Sequence, residues 1–153
     1  MAKQKDWKEN YDKANKSGSV LKYTDKGRIS GMMYISTPKE ILGIIKKIPR
    51  GKLITTKIIA DKLSKKYKAD FTCPLTTGIF TSIVVNYVEQ QKAQGKDLGI
   101  PWWRVVKPKG KLYEHYLRRF HSQRELLESE GFDIEEGKGK QPPKVIDYEK
   151  YLV

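Results

Sequence analysis

The chain has 153 residues, with 31 Lys and Arg against 18 Asp and Glu, a formal net charge of +13, and 38% hydrophobic residues. That is enough apolar sequence for one modest core, and the charge points to a polyanionic partner. No apolar run approaches the length of a membrane span, and the start MAKQKDWKEN lacks the apolar centre of a signal peptide, so a cytoplasmic protein without membrane contact is expected.

The charge is unevenly spread. Residues 1–30 carry 8 basic and 4 acidic side chains, residues 31–132 carry 19 and 9, and residues 133–153 carry 4 and 5. The excess is therefore +4, +10 and −1, so the positive field belongs to the middle of the chain. A lysine-rich solvated surface is the plainer reading; a nucleic-acid partner is the sharper one. The single cysteine, Cys73, excludes an intrachain disulfide and fits a reducing compartment.

Residues 1–30 are rich in Lys, Asn, Ser and Gly, with Trp7, Tyr11 and Tyr23 isolated on no common face, and read as a flexible or loosely docked basic arm. A first helix follows, with Thr37 as N-cap, Pro38 in its first turn, Glu40 three residues after the cap, and Ile41, Ile44, Ile45 and Ile48 at helical spacing. Pro49 and Gly51 end it. After an extended piece through Leu53 and Ile54, Thr55 or Thr56 caps a second helix with Ile59, Ala60, Leu63 and Tyr67 on one side.

Pro74 then breaks the pattern, and Thr76 or Thr77 caps a third helix from about Gly78 to Ala93. Its apolar residues Ile79, Phe80, Ile83, Val84, Tyr87 and Val88 predict a broad buried face, with Thr77, Gly78, Thr81 and Ser82 on the other side. Small residues near a helix start let the backbone approach an anionic surface, and the free N–H groups there favour phosphate; ordinary solvent exposure is the alternative. Beyond Gly95, IPWWRVV reads as a turn feeding a strand, and KPKGKLY as a basic hairpin. A last helix from about Ser122 to Ser129 presents Leu126 and Leu127 and stops at Gly131. The pattern predicts a mostly α fold with a small β wing, a winged-helix-like helix-turn-helix domain over residues 31–134, and a C-terminal tail over residues 135–153.

Three stretches in order carry a resemblance: IPRGKLITTKIIADKL, IPWWRVV and QRELLESEG. They resemble the I-P-x-G-x-V-x-T-Y-G-x-I-A, I-P-C-H-R-V-V and K-x-x-L-L-x-x-E-G stretches of the alkylguanine-DNA alkyltransferases, within which the alkyltransferase-like proteins lack the reactive cysteine. The resemblance runs from Thr37 to Ile134. It implies that Trp102 stands at the cysteine position and Trp103 at the histidine position, while Arg104 and Glu130 match. In the alkyltransferases a thiolate, activated through water by histidine and supported by glutamate, takes the alkyl group from a flipped guanine.

An indole is no such nucleophile, so the resemblance implies a non-catalytic protein that binds duplex DNA, recognises alkylated guanine and holds it for downstream repair proteins. It would act as a monomer and without a cofactor. Trp102, Arg104 and Glu130 would line the base pocket, with Trp102 as its wall and Trp103 packed into the core. Thr56, Thr77, Gly78, Thr81, Lys107, Lys109 and Lys111 would contact DNA. The family's phosphate-rotating tyrosine falls at Thr56, and the arginine that fills the gap of the flipped base falls near Thr77. The hinge asparagine falls at Asn86, about eight residues are inserted before Pro101, and the double-glycine turn is replaced by LRRFHS.

Plainer readings stand beside these. Both tryptophans read equally as core aromatics, Arg104 as a buried structural arginine and Glu130 as a surface helix residue. His115 and His121 have no Cys or acidic ligand pattern near them, so no metal is expected. Two rival functions remain: a divergent alkyltransferase using Cys73, and a winged-helix regulator without lesion specificity.

Overall fold

The computed structural model of the chain describes residues 5–26, 29–113 and 123–153. It opens with a helix, α1 (Trp7–Lys16), capped by Asp6, whose side chain accepts from the Glu9 amide. A hairpin of β1 (Val20–Lys26) and β2 (Ile29–Ile35) follows, then α2 (Pro38–Lys46), β3 (Ile54–Thr55), α3 (Thr56–Tyr67), β4 (Phe71–Thr72) and α4 (Pro74–Ala93). A 3-10 turn over Trp102–Arg104 leads to β5 (Val105–Val106), and a second 3-10 turn covers Pro108–Gly110. Helix α5 (Gln123–Ser129), the pair β6 (Ile134–Glu135) and β7 (Lys144–Val145), and a 3-10 turn over Tyr148–Tyr151 complete the described chain. This is a helical domain with small sheets, as the sequence predicts.

Helix α2 forms as its sequence dictates. Thr37 accepts from the Glu40 amide, Pro38 sits in the first turn, and Ile41 and Ile45 are fully buried. Glu40 then serves the tertiary structure, accepting from Tyr34 at 2.6 Å and Tyr67 at 2.5 Å while those two rings stack at 4.2 Å. Thr55 caps α3, accepting from the Ile58 amide, and Ile59 and Leu63 enter the same core. Parallel pairing of β3 with β5, Ile54 with Val105 and Thr55 with Val106, fastens the tryptophan turn to the start of α3.

The predicted inward face of α4 is corrected. Val84 and Val88 are buried, but Ile79 is 51% exposed, and Thr77 and Thr81 are buried in its stead. The reason is local chemistry: Thr77 Oγ1 donates to the Cys73 carbonyl at 2.8 Å and Thr81 Oγ1 to the Thr77 carbonyl at 2.7 Å. With its hydroxyl satisfied four residues back, a threonine packs as an apolar volume. The helix also begins earlier than predicted, at Pro74 after Cys73, because proline suits a first helical turn.

The reading of residues 1–30 as a loose arm is likewise corrected over the described part. Tyr11 of α1 stacks on Tyr87 of α4 at 4.1 Å, Gln90 joins the Trp7 amide and the Lys5 carbonyl, and Asn15 accepts from the Lys39 amide. Isolated aromatics without a period carry no helical signal of their own; α4 and α2 supply the missing face. Residues 135–153 are not a free tail either. Strand β7 pairs with β6, Val145 is buried beside Leu53 and Phe132, and the Leu53 amide donates to the Tyr151 carbonyl at 2.8 Å.

Candidate nucleic-acid interface

The two tryptophans occupy different depths. Trp102 is 1% exposed, and its Nε1–H donates to the Glu89 carboxylate on α4. Trp103 is half-buried and packs against both core clusters, and its Nε1–H donates to Glu130 just past α5. The rings meet edge to face at 6.2 Å. The expectation of Trp102 facing an open cleft and Trp103 sealed in the core is therefore reversed in burial. It assumed an extended backbone with alternating faces, whereas the pair sits in a 3-10 turn, where successive side chains spread around an axis.

Arg104 and Glu130 meet as a nearly buried pair, with side chains 13% and 3% exposed. Arg104 Nε lies 3.1 Å from both carboxylate oxygens, and its Nη1 donates to the Ile48 carbonyl at 2.6 Å. Glu130 also accepts from the Gly51 amide at 3.2 Å. Burial alone would push the Glu130 pKa up; hydrogen bonds from Trp103, Arg104 and Gly51 outweigh it and hold the carboxyl below its ordinary value. The group locks the end of α2, the tryptophan turn and the end of α5 together. The Trp103 indole N–H is a donor to Glu130 and cannot accept a proton from it.

A small cavity lies against Trp102, lined by Thr81, Ser82, Val85, Asn86, Val105 and Tyr113. Its volume is about 20 Å³, room for a single water. Of the predicted base-pocket residues, Trp102 borders it, while Arg104 and Glu130 do not. Thr81, expected at the DNA surface, lines this cavity and is 3% exposed. Asn86 also borders it and donates to the Ser82 carbonyl at 2.8 Å.

Other predicted contacts converge elsewhere. Of them, Thr56 at the start of α3 and Thr77 at the start of α4 line one open cleft together with Pro74, Pro108, Ser30 and the Lys57–Asp61 ion pair, while Lys107, Lys109 and Lys111 do not line it. Thr77 borders it but is only 1% exposed, so it cannot fill a gap between base pairs. Gly78 is exposed on the outer face of α4.

The lysine segment is not the predicted hairpin. It is a tight turn in which the Lys107 amide donates to the Lys111 carbonyl at 2.8 Å, around the 3-10 turn Pro108–Gly110. Lys109 has φ 66° and Gly110 φ 77°, and a Cβ on Gly110 would lie 2.8 Å from Tyr148. Lys111 bridges to Lys144, so the pairing expected within the segment is made with β7. Lys109 is exposed, Lys111 Nζ donates to Gln141 at 2.9 Å, and Lys107 lies over the Tyr113 ring at 5.1 Å. Burial first, and then the charge of Lys111, lower the Lys107 pKa.

Gln123, at the start of α5, was not singled out by sequence reasoning. It is fully buried, donates to the carbonyls of Trp103 and Val105 at 3.0 and 2.7 Å, and accepts from the Tyr113 amide at 2.6 Å. Glu89 was missed as well, although it is the one acidic residue of α4 and so a visible anomaly. The segment LRRFHS, with His121, and His115 lie outside the described residues, among which no metal-binding group of His, Cys, Asp and Glu occurs. No described helix is long and apolar enough to cross a membrane.

No family model and no curated protein sequence matches the chain. Among solved structures, S. pombe ATL in complex with DNA matches with a TM-score of 0.50 at 18% identity, over 76% of this chain and 93% of that one. The chain shares the alkyltransferase-like fold. A structure of S. pombe Atl1 in complex with damaged DNA containing O6-carboxymethylguanine matches with a TM-score of 0.48, at the same identity and coverage. The alkyltransferase-like fold accounts for about three quarters of this chain.

Proposed function

We propose that this chain is a non-catalytic protein that binds duplex DNA, using the cleft where the starts of α3 and α4 meet the Lys107–Lys111 turn. The observation that carries this reading is that the starts of α3 and α4 line one cleft with Pro108 of the lysine turn, all of them in the stretch of chain holding the +10 excess. On this reading α3 and α4 act as a helix-turn-helix and the lysine turn as its wing. The ATL structure of the same fold is a complex with DNA, which supports it. Phosphate contacts from Lys107, Lys109 and Lys111 position the protein and carry no sequence information. Changing all three to Ala is expected to flatten the slope of log affinity against log salt by about 2 to 3 units. An unchanged slope places the DNA surface elsewhere.

In this reading the cavity beside Trp102 is where an alkylated guanine enters, and the lesion is held for downstream repair proteins. Entry requires the cavity to open, since about 20 Å³ admits one water. That small volume favours a second reading, a DNA-binding module with no lesion specificity. Affinities for matched duplexes with guanine or alkylguanine separate the two: a preference of about tenfold or more supports lesion recognition, and equal affinities support the plain module.

The mass of the protein is expected to stay unchanged after incubation with alkylated DNA, because indoles stand at both reactive positions. Cys73 stands at the N-cap position of α4 without a side-chain capping bond, and its Sγ accepts from the Thr76 hydroxyl at 3.2 Å. One added alkyl group mapped to Cys73 would establish the enzymatic rival.

A further inference from the structure

The hairpin of β1 and β2 precedes Thr37, where the stretch that carries the family resemblance begins. Its sheet has the order β1-β2-β4, so β2 is paired on both sides and β1 on one. In an antiparallel pair every second residue turns its N–H and C=O away from the neighbouring strand. Among the described residues, no backbone hydrogen bond reaches that outer edge of β1. Proline, bulges and very short length are what usually blunt such an edge. Here β1 has seven residues and no proline, and its register runs unbroken from Val20 opposite Ile35 to Lys26 opposite Ile29. Val20, Leu21 and Tyr23 are 42%, 47% and 65% exposed.

Alternation sorts the side chains of β1 onto two faces. Leu21 and Tyr23 share the face of Tyr34 and Met32, their partners in register, and Tyr34 belongs to the larger core. On the other face lies Lys22, exposed and the only charge from Val20 to Thr24.

We propose that β1 accepts an extended acidic segment of a partner protein as a fourth strand of this sheet. Outward N–H and C=O groups at strand spacing match another peptide backbone, and duplex DNA offers no such ladder. Charge selects the partner. A second copy would bring +13 against +13. A segment alternating acidic and apolar residues instead sets carboxylates beside Lys22 and apolar groups beside Leu21 and Tyr23, continuing the layer that Tyr34 begins. Asp25, on the Tyr23 face, excludes an acid directly opposite it. This contact is independent of the DNA-binding reading above.

The test uses the full chain and a blocked, fluorescently labelled octapeptide alternating glutamate and valine, together with two forms of it N-methylated at the glutamates or at the valines. All three carry the same charge. Only one set of amides can face β1, so one methylated form is expected to lose about tenfold or more in affinity while the other binds nearly as the parent does. Amide hydrogen exchange within residues 20–26 is expected to slow when the parent peptide is added. Lys22→Glu is expected to weaken the parent peptide by about tenfold and to leave the affinity for duplex DNA unchanged. Equal affinities of the two methylated forms overturn the proposal, as does failure of the parent peptide to bind, or binding without slower exchange in β1. Equal losses of peptide and DNA affinity in Lys22→Glu assign the edge to the DNA surface. Exchange in β1 that slows with protein concentration alone assigns it to a second copy, and either result overturns the acidic segment.

Discussion

Trp102→Ala is expected to lower the stability of the fold by about 3 to 5 kcal/mol, near the upper end of that range. Two effects act together. The indole is 1% exposed within the larger core, packed with residues of α2, α3 and α4, so truncation leaves a cavity that the surrounding helices fill only in part. Its Nε1–H is also the donor to Glu89, a carboxylate 2% exposed, which the mutation strips of that partner. Trp102→Phe keeps most of the volume and removes the donor, and should cost about 1 to 3 kcal/mol. Denaturant unfolding of wild type and both variants measures this. If Trp102→Ala is less damaging than Trp103→Ala, the indole at position 102 is not the core residue that its burial makes it.

Glu130→Gln should destabilise by a similar amount, about 3 to 5 kcal/mol, for an electrostatic reason. The carboxylate gathers Arg104, the Trp103 indole and the Gly51 amide, and the neutral amide leaves a guanidinium only 13% exposed without its counter-charge. A pH signature accompanies the loss. The folded Glu130 pKa lies below the ordinary value, so between the two pKa values the unfolded chain binds more protons than the native one. The stabilisation is thus fully present above the ordinary glutamate value and is lost as pH falls through the lowered folded value. Unfolding free energies measured across the acid range should fall more steeply for wild type than for Glu130→Gln. Parallel curves would mean that Glu130 does not titrate differently on folding.

Both predictions concern residues that the matched motifs single out, yet the structure gives them tasks that the motifs leave open. The indoles and the glutamate are knots of packing and hydrogen bonding. The proposed DNA contact accordingly rests on other residues, those around the starts of α3 and α4 and in the lysine turn.

The sequence by itself determined α2 down to its Thr37 cap and Glu40 and the end of α5 at Gly131, whose φ is 90°, and it narrowed the cap of α3 to Thr55 or Thr56, of which the structure uses Thr55. These depend on residues within one turn of each other, through capping bonds and the conformational freedom of glycine. The positive charge of the middle segment is also a property of the sequence, since it needs no geometry. Three features were decided only by tertiary structure. Thr77 and Thr81 went inward in place of Ile79, because back-bonded hydroxyls cost little to bury and the helix neighbours chose the face. The first helix became ordered through Tyr87 and Gln90, more than seventy residues away in sequence, which no local pattern encodes. Which tryptophan is sealed inside was set by a 3-10 turn pinned between β3, Glu89 and Glu130, partners that adjacent residues acquire only when the chain has closed around them.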